Sequence, residues 1–482
     1  MAYCRFENFD IAVHGQAPPY PVRAAYGPHS AEGELLIDAR QGVWPQRLGE
    51  LTAPARAPGR ASLDETGALL YDALWRDQVR DLWLRARGDL ESGAIGGLRV
   101  RLSLSPADAA ALPWEALYDA ERGVFLGAGS QTPLGRVVNL LRYVGAPRSL
   151  AAALPLRVLV ALPDDPAGQI DTEGEWRRLQ AALAPLLAGG LQLLRLQGRF
   201  GPLQLRRIIQ QEQPHVLHLL AHGQPDGVLL WQEGAQEGTE DRRPQIAPPT
   251  ALRMALEGAN SLRLVLLAAC STAQVFDHSP LSSLGAQLLQ TGAPAVIAMQ
   301  TDVRASAAAA FSEHFYLQLL AGPCPGLVDV AVNYARGCLY LREPDQFAFA
   351  APVLWLNASD GRIFTADRPL VLAAPAAPDH AAEEVDTAAL LDELAALEGW
   401  LASVPLFDRA ALPSQCRSIE AGRLDELRTL AGLLAQLPDA GEPAARALRF
   451  RRQRGALQER RERIERLTAL LTEQLLTDRG AS

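Results

Sequence analysis

The chain has 482 residues, with 48% apolar and 21% charged residues and a formal net charge of -9. This length favours two to four domains of roughly 100–200 residues each, and the composition is that of a soluble globular protein. The acidic balance argues against a general nucleic-acid-binding surface. All 46 basic residues are arginine. Pyridoxal enzymes and P-loop NTPases are therefore excluded, because both need a lysine.

The N-terminal segment and the cysteines indicate the expected compartment. Residues 1–10 (MAYCRFENFD) lack the basic-then-apolar pattern of a signal peptide, and no apolar run in the sequence is long enough to cross a bilayer. The five cysteines form no CxxC pair, which argues against a zinc ribbon or a dithiol redox site; they occupy positions 4, 270, 324, 338 and 416. We therefore expect a cytoplasmic protein in a reducing compartment, with no cofactor, no metal and no membrane partner.

Residues 1–149 are predicted to form an N-terminal half made of strands and a helix. Residues 1–50 have short strand-like segments interrupted by Gly and Pro, and 62–90 carry a loose apolar face typical of a helix. Residues 98–104 (LRVRLSL) alternate between apolar and polar, which predicts a half-buried strand.

From residue 156 onward, continuous apolar runs alternate with helical stretches. Such runs are typical of strands buried on both faces. Their alternation with helices predicts an α/β domain over 150–370, with a mostly parallel sheet covered on both sides. The predicted strands lie at 157–162, 191–196, 216–221, 262–269, 296–299 and 353–356, and the predicted helices near 171–187, 202–211, 250–257, 279–292, 305–320 and 327–341.

The C-terminal part has a different character. Residues 371–382 (VLAAPAAPDHAA) are typical of a linker, and 383–482 are predicted to be an all-α region. Leu457, Ile464 and Leu471 form an apolar stripe at helical spacing. Nine arginines fall within 446–466, and we interpret them as a solvated helix face rather than a nucleic-acid patch.

Two predicted strands end in groups that could perform chemistry together. The first ends at His222-Gly223 and the second at Cys270. The carboxyl ends of parallel strands meet at one edge, and neighbouring strands lie about 4.8 Å apart, so His222 and Cys270 could reach each other. An imidazole could then take the thiol proton, and the N–H groups of Gly223 and Cys270 could bind an oxyanion.

A structural role and a metal site are the alternatives to catalysis for these residues. A lone cysteine after an apolar strand is more often a core residue than a nucleophile, and only the pairing with His222 favours catalysis. A metal site at His215, His218 and His222 fails on geometry, because His215 and His218 face opposite sides of a strand. His218 and His222 share a face, but about 13 Å separates them at about 3.3 Å per residue.

These segments resemble the motifs of a known family. Residues 219–223 (LLAHG) and 267–273 (LAACSTA), together with 112–119 (LPWEALYD) and 285–300 (GAQLLQTGAPAVIAMQ), are similar to the CHAT branch of the caspase-like peptidases, which is related to separase. The resemblance covers roughly residues 1–365. It implies a caspase-like three-layer sandwich, with His222 as general base and Cys270 as nucleophile in peptide-bond cleavage. Peptidases of this clan bind an extended protein or peptide substrate along a sheet edge.

The sequence offers three candidates for the residue that selects the substrate. An acidic residue in the pocket for the residue before the cleaved bond would select Arg or Lys, and Asp164, Asp165 and Asp302 are the candidates. Ordinary solvated loop charges explain each of them equally well. The polar connection 231–250 is either a loop cut near Arg242-Arg243 or a plain surface insertion.

The leading hypothesis is a regulated cysteine endopeptidase, which the resemblance places in a bacterial defence or cell-death pathway. The alternative is a catalytically silent caspase-like scaffold for protein–protein interaction. In either case the region 383–482 could recruit a regulatory protein, self-associate, or hold the enzyme inactive.

Overall fold

The computed structural model describes most of residues 4–366 and, in the C-terminal part, much of 387–475. Shorter gaps interrupt both parts. The longer segments outside the described residues are 48–59, 139–149, 165–171, 232–243, 269–282, 367–386, 438–445, 451–456 and 476–482.

The N-terminal half combines a three-stranded antiparallel unit with two helices. The sequence predicts one helical stretch over 62–90, but the structure has two helices, because Arg76 is extended and Asp77 has a positive φ of 46°. At this bend Trp75 stacks on Trp83 with ring centroids 4.4 Å apart, and both rings meet Phe9 edge-on. The elements are β1 (Phe6–Val13), β2 (Tyr20–Tyr26), β3 (His29–Leu35), α1 (Arg60–Leu74), α2 (Asp77–Glu91), β4 (Gly97–Leu104), α3 (Ala107–Ala110), β5 (Tyr118–Asp119), β6 (Val124–Phe125) and β7 (Leu134–Arg136).

The second half follows the predicted alternation of strands and helices. Each of the six predicted buried strands is present, and so are the helices between them. Within the predicted helix over 279–292 the structure describes a helix at Leu284–Leu289, and Ser279 and Pro280 lie outside the described residues. The elements are β8 (Leu150–Ala152), β9 (Leu156–Pro163), α4 (Thr172–Leu187), β10 (Leu191–Gly198), α5 (Pro202–Glu212), β11 (Val216–Leu220), β12 (Gly223–Gln224), β13 (Gly227–Trp231), β14 (Pro244–Ala247), α6 (Pro249–Leu256), β15 (Leu264–Ala268), α7 (Leu284–Leu289), β16 (Ala295–Met299), α8 (Ala305–Ala321), α9 (Val328–Arg342), β17 (Pro352–Leu356) and β18 (Phe364–Ala366).

Strands from both halves join in one 11-stranded sheet, in the order β10-β9-β11-β15-β16-β17-β7-β4-β1-β2-β3. The pairs are parallel except β16–β17, β1–β2 and β2–β3. The strands from β17 to β1 therefore run opposite to those from β10 to β16. The predicted fold class is confirmed: a mostly parallel sheet between two helical layers, with further helices at the C-terminus.

The central strands are buried on both faces, as their continuous apolar runs predict. On one face, Val160 and Leu220 pack with side chains of α4, α8 and α9, including Leu179 and Phe311. On the other face, alternate residues of the same strands pack against α5, α6 and α7. Because side chains alternate between faces, every second residue of β11 and β15 points toward α4 and α8.

Buried polar contacts join the two halves of the sheet. Asn333 of α9 donates to the carbonyls of Leu126, Gly129 and Thr132, each at 2.9 Å, and its Oδ1 accepts from the Leu134 N–H at 3.1 Å. Buried polar groups are stable only when they have partners, so these contacts fix α9 against the start of β7.

One cysteine pair differs from expectation. The scattered cysteines gave no indication of pairing, yet Cys4 and Cys324 form a disulfide across 320 residues of chain. It connects the segment before β1 to the turn between α8 and α9. Cys338 has a free thiol. Disulfides are rare in the reducing compartment that the cysteine pattern suggested, and those that form there are usually transient.

The chain divides into two compact units, Met1–Leu372 and Ala373–Ser482. The boundary falls in the predicted linker 371–382, which lies outside the described residues; the finer division at 149/150 stays a prediction. In the second unit, α10 (Thr387–Ser403) and α11 (Ser414–Ala435) pack with later helical residues around Leu430, Leu457 and Ile464. Among the described residues, no helix combines the length and apolarity needed to span a bilayer.

Candidate functional site

The strand order has a switch point at one edge of the sheet, between β9 and β11. After β9 the chain crosses outward to β10 and then returns to the other side of β9 as β11. Ligands of open α/β sheets bind where the connections diverge in this way, beyond the carboxyl ends of the strands. Asp164 follows β9 and His222 follows β11, so both candidate residues lie at this edge of the sheet.

His222 lies two residues beyond the end of β11 and is half-buried. Its backbone carbonyl accepts a hydrogen bond from the Leu229 N–H at 2.8 Å. This bond belongs to the hairpin of β12 and β13, in which Gly223 pairs with Val228. The hairpin therefore anchors the backbone on the carboxyl side of His222, and Gly223 lies inside it.

The register between β11 and β15 indicates where Cys270, the second candidate residue, would follow β15. Leu220 pairs with Ala268, and these are the last paired residues of the two strands. His222 follows Leu220 by two residues, and Cys270 follows Ala268 by two residues. Cys270 itself lies outside the described residues.

Of the three acidic candidates, only Asp164 is among the described residues. Its carboxylate is 44% exposed and lies 3.9 Å from Nε of Arg199, whose guanidinium sits over the Trp231 ring at 4.6 Å. The Trp231 indole N–H donates to the Asp164 carbonyl at 2.9 Å. An arginine thus stands beside the carboxylate that was expected to bind a basic side chain. Asp165, Asp302 and the predicted cut at Arg242-Arg243 lie outside the described residues.

The other two candidate histidines, His215 just before β11 and His218 within it, are both buried. The His215 ring accepts the Arg157 N–H at 3.0 Å, and burial, together with Arg157 and Arg263, lowers the pKa of His215 to about 4. His218 is fully buried, and that burial lowers its pKa to about 3. Both imidazoles are therefore neutral at pH 7. No cluster of three or more candidate metal ligands occurs in the described part of the chain.

Sequence reasoning missed a buried network at the end of β16. Glu115 is fully buried and binds Arg136 through two hydrogen bonds of 2.9 and 2.6 Å. Gln300, the residue after β16, donates to Glu115 at 3.1 Å and to the Ala350 carbonyl at 2.7 Å. The sequence did contain a signal for these two residues, because Glu115 lies in the segment 112–119 and Gln300 in the segment 285–300, both of which resemble family motifs. Their contact across 185 residues could not be read from either segment.

The fold defines the class of protein: an α/β protein with a largely parallel sheet and a switch in strand order between β9 and β11. A comparison with protein-family models is more specific, since the CHAT domain model matches residues 64–359. The chain belongs to the CHAT domain family. The match includes His222, Cys270 and both partners of the Glu115–Gln300 contact.

Solved structures with some likeness include two of the Saccharomyces cerevisiae separase–securin complex and one of the Arg-specific cysteine proteinase gingipain R. The separase structures are 16% identical with TM-scores of 0.35, and the matches cover 53% and 59% of this chain. This chain spans only 15–17% of the separase chains. The gingipain match is 11% identical with a TM-score of 0.41 and covers 64% of this chain and 74% of that one. No curated protein matches the chain significantly.

Proposed function

We propose that this protein is a cysteine endopeptidase that uses His222 as general base and Cys270 as nucleophile. The observation that carries the proposal is the parallel register of β11 and β15, which ends at Leu220 and Ala268. Continued by two residues on each strand, that register would bring the imidazole and the thiol opposite each other. Membership of the CHAT family over residues 64–359 is consistent with this chemistry.

The reaction follows from the two groups. A free thiol with a pKa of about 8.5 is mostly protonated at pH 7. The His222 imidazole would take its proton as the thiolate attacks the peptide carbonyl, and would return it to the leaving amine. The N–H groups of Gly223 and Cys270 would donate to the oxyanion of the tetrahedral intermediate. Water then releases the acyl group from Cys270 by the same route.

The substrate in this proposal is an extended segment of a protein. A carboxylate at this edge of the sheet would select Arg or Lys before the cleaved bond, with Asp164, Asp165 and Asp302 as candidates. For Asp164, the 44% exposure of its side chain favours the role, whereas Arg199 at 3.9 Å opposes it. If Asp164 is the selecting residue, a basic side chain of the substrate must displace the Arg199 guanidinium from the carboxylate. The guanidinium already lies over the Trp231 ring.

The test measures cleavage of a mixed peptide library and labelling by a thiol-reactive peptide. Cys270→Ala should abolish both, and His222→Ala should reduce cleavage by about 10²–10⁴-fold, the usual contribution of a general base. Cys338→Ala is the matched control: Cys338 is also a free thiol, but burial raises its pKa, and its loss should change nothing. Labelling of Cys270 that is indifferent to His222→Ala, with no peptide cleaved, would instead support a silent scaffold.

The same library tests selection. Asp164→Asn, Asp165→Asn and Asp302→Asn are compared for the ratio of cleavage after Arg or Lys to cleavage after other residues. The variant at the selecting position should lower that ratio by at least tenfold, since it removes a charge from a desolvated pocket. Unchanged ratios in all three variants would remove these residues from substrate selection.

The setting we propose is a regulated bacterial defence or cell-death pathway, in the cytoplasm. The helical region 383–482 would then bind a regulatory protein, associate with a second copy of the chain, or hold the enzyme inactive. The region is removed by limited proteolysis, and the cleavage assay compares the cut protein with the intact one. If the region restrains the site, the cut protein should be more active.

A further inference from the structure

A small cavity lies inside the catalytic half, on the sheet face that packs against α4 and α8. Leu220 and Ala268, the last paired residues of β11 and β15, form part of its wall, with Leu179 of α4 opposite. About 10 Å³ is available to the centre of a water molecule. This is close to the smallest space that can hold one water.

A buried imidazole points into the cavity. His218 lines it and is only 1% exposed. The Nδ1 atom lies 3.5 Å from the hydroxyl of Tyr316, and Nε2 is the other ring nitrogen. Within the described part of the chain, Nε2 has no hydrogen-bond partner. Leaving such a buried group unsatisfied is energetically unfavourable, so a partner is expected.

The polar groups around Nε2 are arranged for a bridging molecule. In the tautomer whose Nδ1 accepts from the Tyr316 O–H, the proton of the neutral ring lies on Nε2. Glu175, also in the wall, accepts from Arg178 through Oε1 at 2.6 Å and retains Oε2 as an acceptor. The Ser312 hydroxyl donates to the Ala308 carbonyl at 3.0 Å and keeps its lone pairs.

We propose that this cavity is a binding site for a single water molecule that accepts from Nε2–H of His218 and donates to Glu175 and Ser312. A water satisfies three partners in this way, which is the usual number for a buried water. The three partners come from β11, α4 and α8. The bridge therefore ties the strand that leads to His222 to the two helices covering it, whether or not the chain is a peptidase.

A crystal structure of the full chain, at a resolution where waters are visible, tests the site directly. We expect one density peak within hydrogen-bonding distance of His218 Nε2 and of a Glu175 carboxylate oxygen. The same peak should disappear in Glu175→Leu and remain in Glu173→Leu, a control on the same helix that does not line the cavity. Density absent from the native cavity, or Nε2 bound directly by Glu175, overturns the proposal.

A solution measurement keeps the proposal testable if crystals are not obtained. The chain has eight histidines, so selective ¹⁵N-histidine labelling gives few ring signals. His218→Phe identifies the signal of this ring by its loss. That signal should show a proton on Nε2 with magnetisation transfer to a long-lived water. An Nε2 proton with no such transfer refutes the water site.

Discussion

Glu115 accepts a hydrogen bond from Gln300 at 3.1 Å, although 185 residues of chain separate the two. The same carboxylate binds Arg136, and all three side chains are buried. The contact joins the 3₁₀ helix Trp114–Ala116 to the residue that follows β16. Through this contact the N-terminal half supports the end of β16 in the second half.

Replacing Glu115 by Ala should destabilise the protein by about 3–5 kcal/mol, because it leaves the buried Arg136 guanidinium without its counter-ion. Chemical denaturation followed by circular dichroism measures the loss. Glu121→Ala is the control, since Glu121 pairs with Arg80 at the surface with both side chains about half or more exposed. That change should cost less than about 1 kcal/mol. Equal losses in both variants would contradict the role given to the network.

Two glycine substitutions should act in opposite directions. In Gly285→Ala, the added Cβ would approach the Trp355 ring at 2.9 Å and the Ala298 Cβ at 3.2 Å, so α7 must move away from β16 and stability should fall by about 1–3 kcal/mol. Gly88 lies on the exposed side of α2 with nothing near its added Cβ. Gly88→Ala should therefore stabilise the protein by about 0.5–1 kcal/mol. Thermal unfolding of the two variants provides the comparison.

Stability should fall as the pH is lowered below about 6.5. The folded-state pKa values of His215 and His218 are about 4 and about 3, against 6.5 in the unfolded chain. Between these values the unfolded state binds more protons, so each group removes up to about 1.4 kcal/mol per pH unit as the pH drops. Above pH 6.5 neither contributes a slope.

Denaturant titrations at pH 7, 6 and 5 measure this slope. His218→Leu should flatten the profile, because only one of the two histidines then titrates on unfolding. Tyr316→Phe serves as the control, since it keeps His218 buried and should preserve the slope. A profile unchanged by His218→Leu would show that this imidazole is not held neutral.

The disulfide makes a prediction about redox conditions. A bond closing a loop of 320 residues should stabilise the chain by about 5 kcal/mol in the chain-entropy description, where the contribution grows with the logarithm of loop length. Reductant should therefore lower the melting temperature of the native chain and leave a Cys4→Ser/Cys324→Ser variant unaffected. Mass mapping without reduction should recover the Cys4–Cys324 linked peptide. Two free thiols after oxidative purification would refute the bond.

The predicted strands of residues 156–356 were confirmed because a strand buried on both faces needs a continuous apolar run, and such a run is visible without a partner. The C-terminal stripe was likewise readable: Leu457, Ile464 and Leu471 are fully buried. The break between α1 and α2 was not, because it depends on Trp75, Trp83 and Phe9 meeting in three dimensions. The spacing of apolar residues along the chain does not indicate such a contact.

Sequence alone placed His222 and Cys270 after two buried strands, since periodicity and strand ends are local properties. Only the tertiary structure decided that these strands are neighbours, that Leu220 pairs with Ala268, that Arg199 stands beside Asp164 and that Cys4 meets Cys324. Each of these is a contact between residues distant in the chain. Such contacts are set by how the layers pack around one sheet, and not by the order of residues in any one segment.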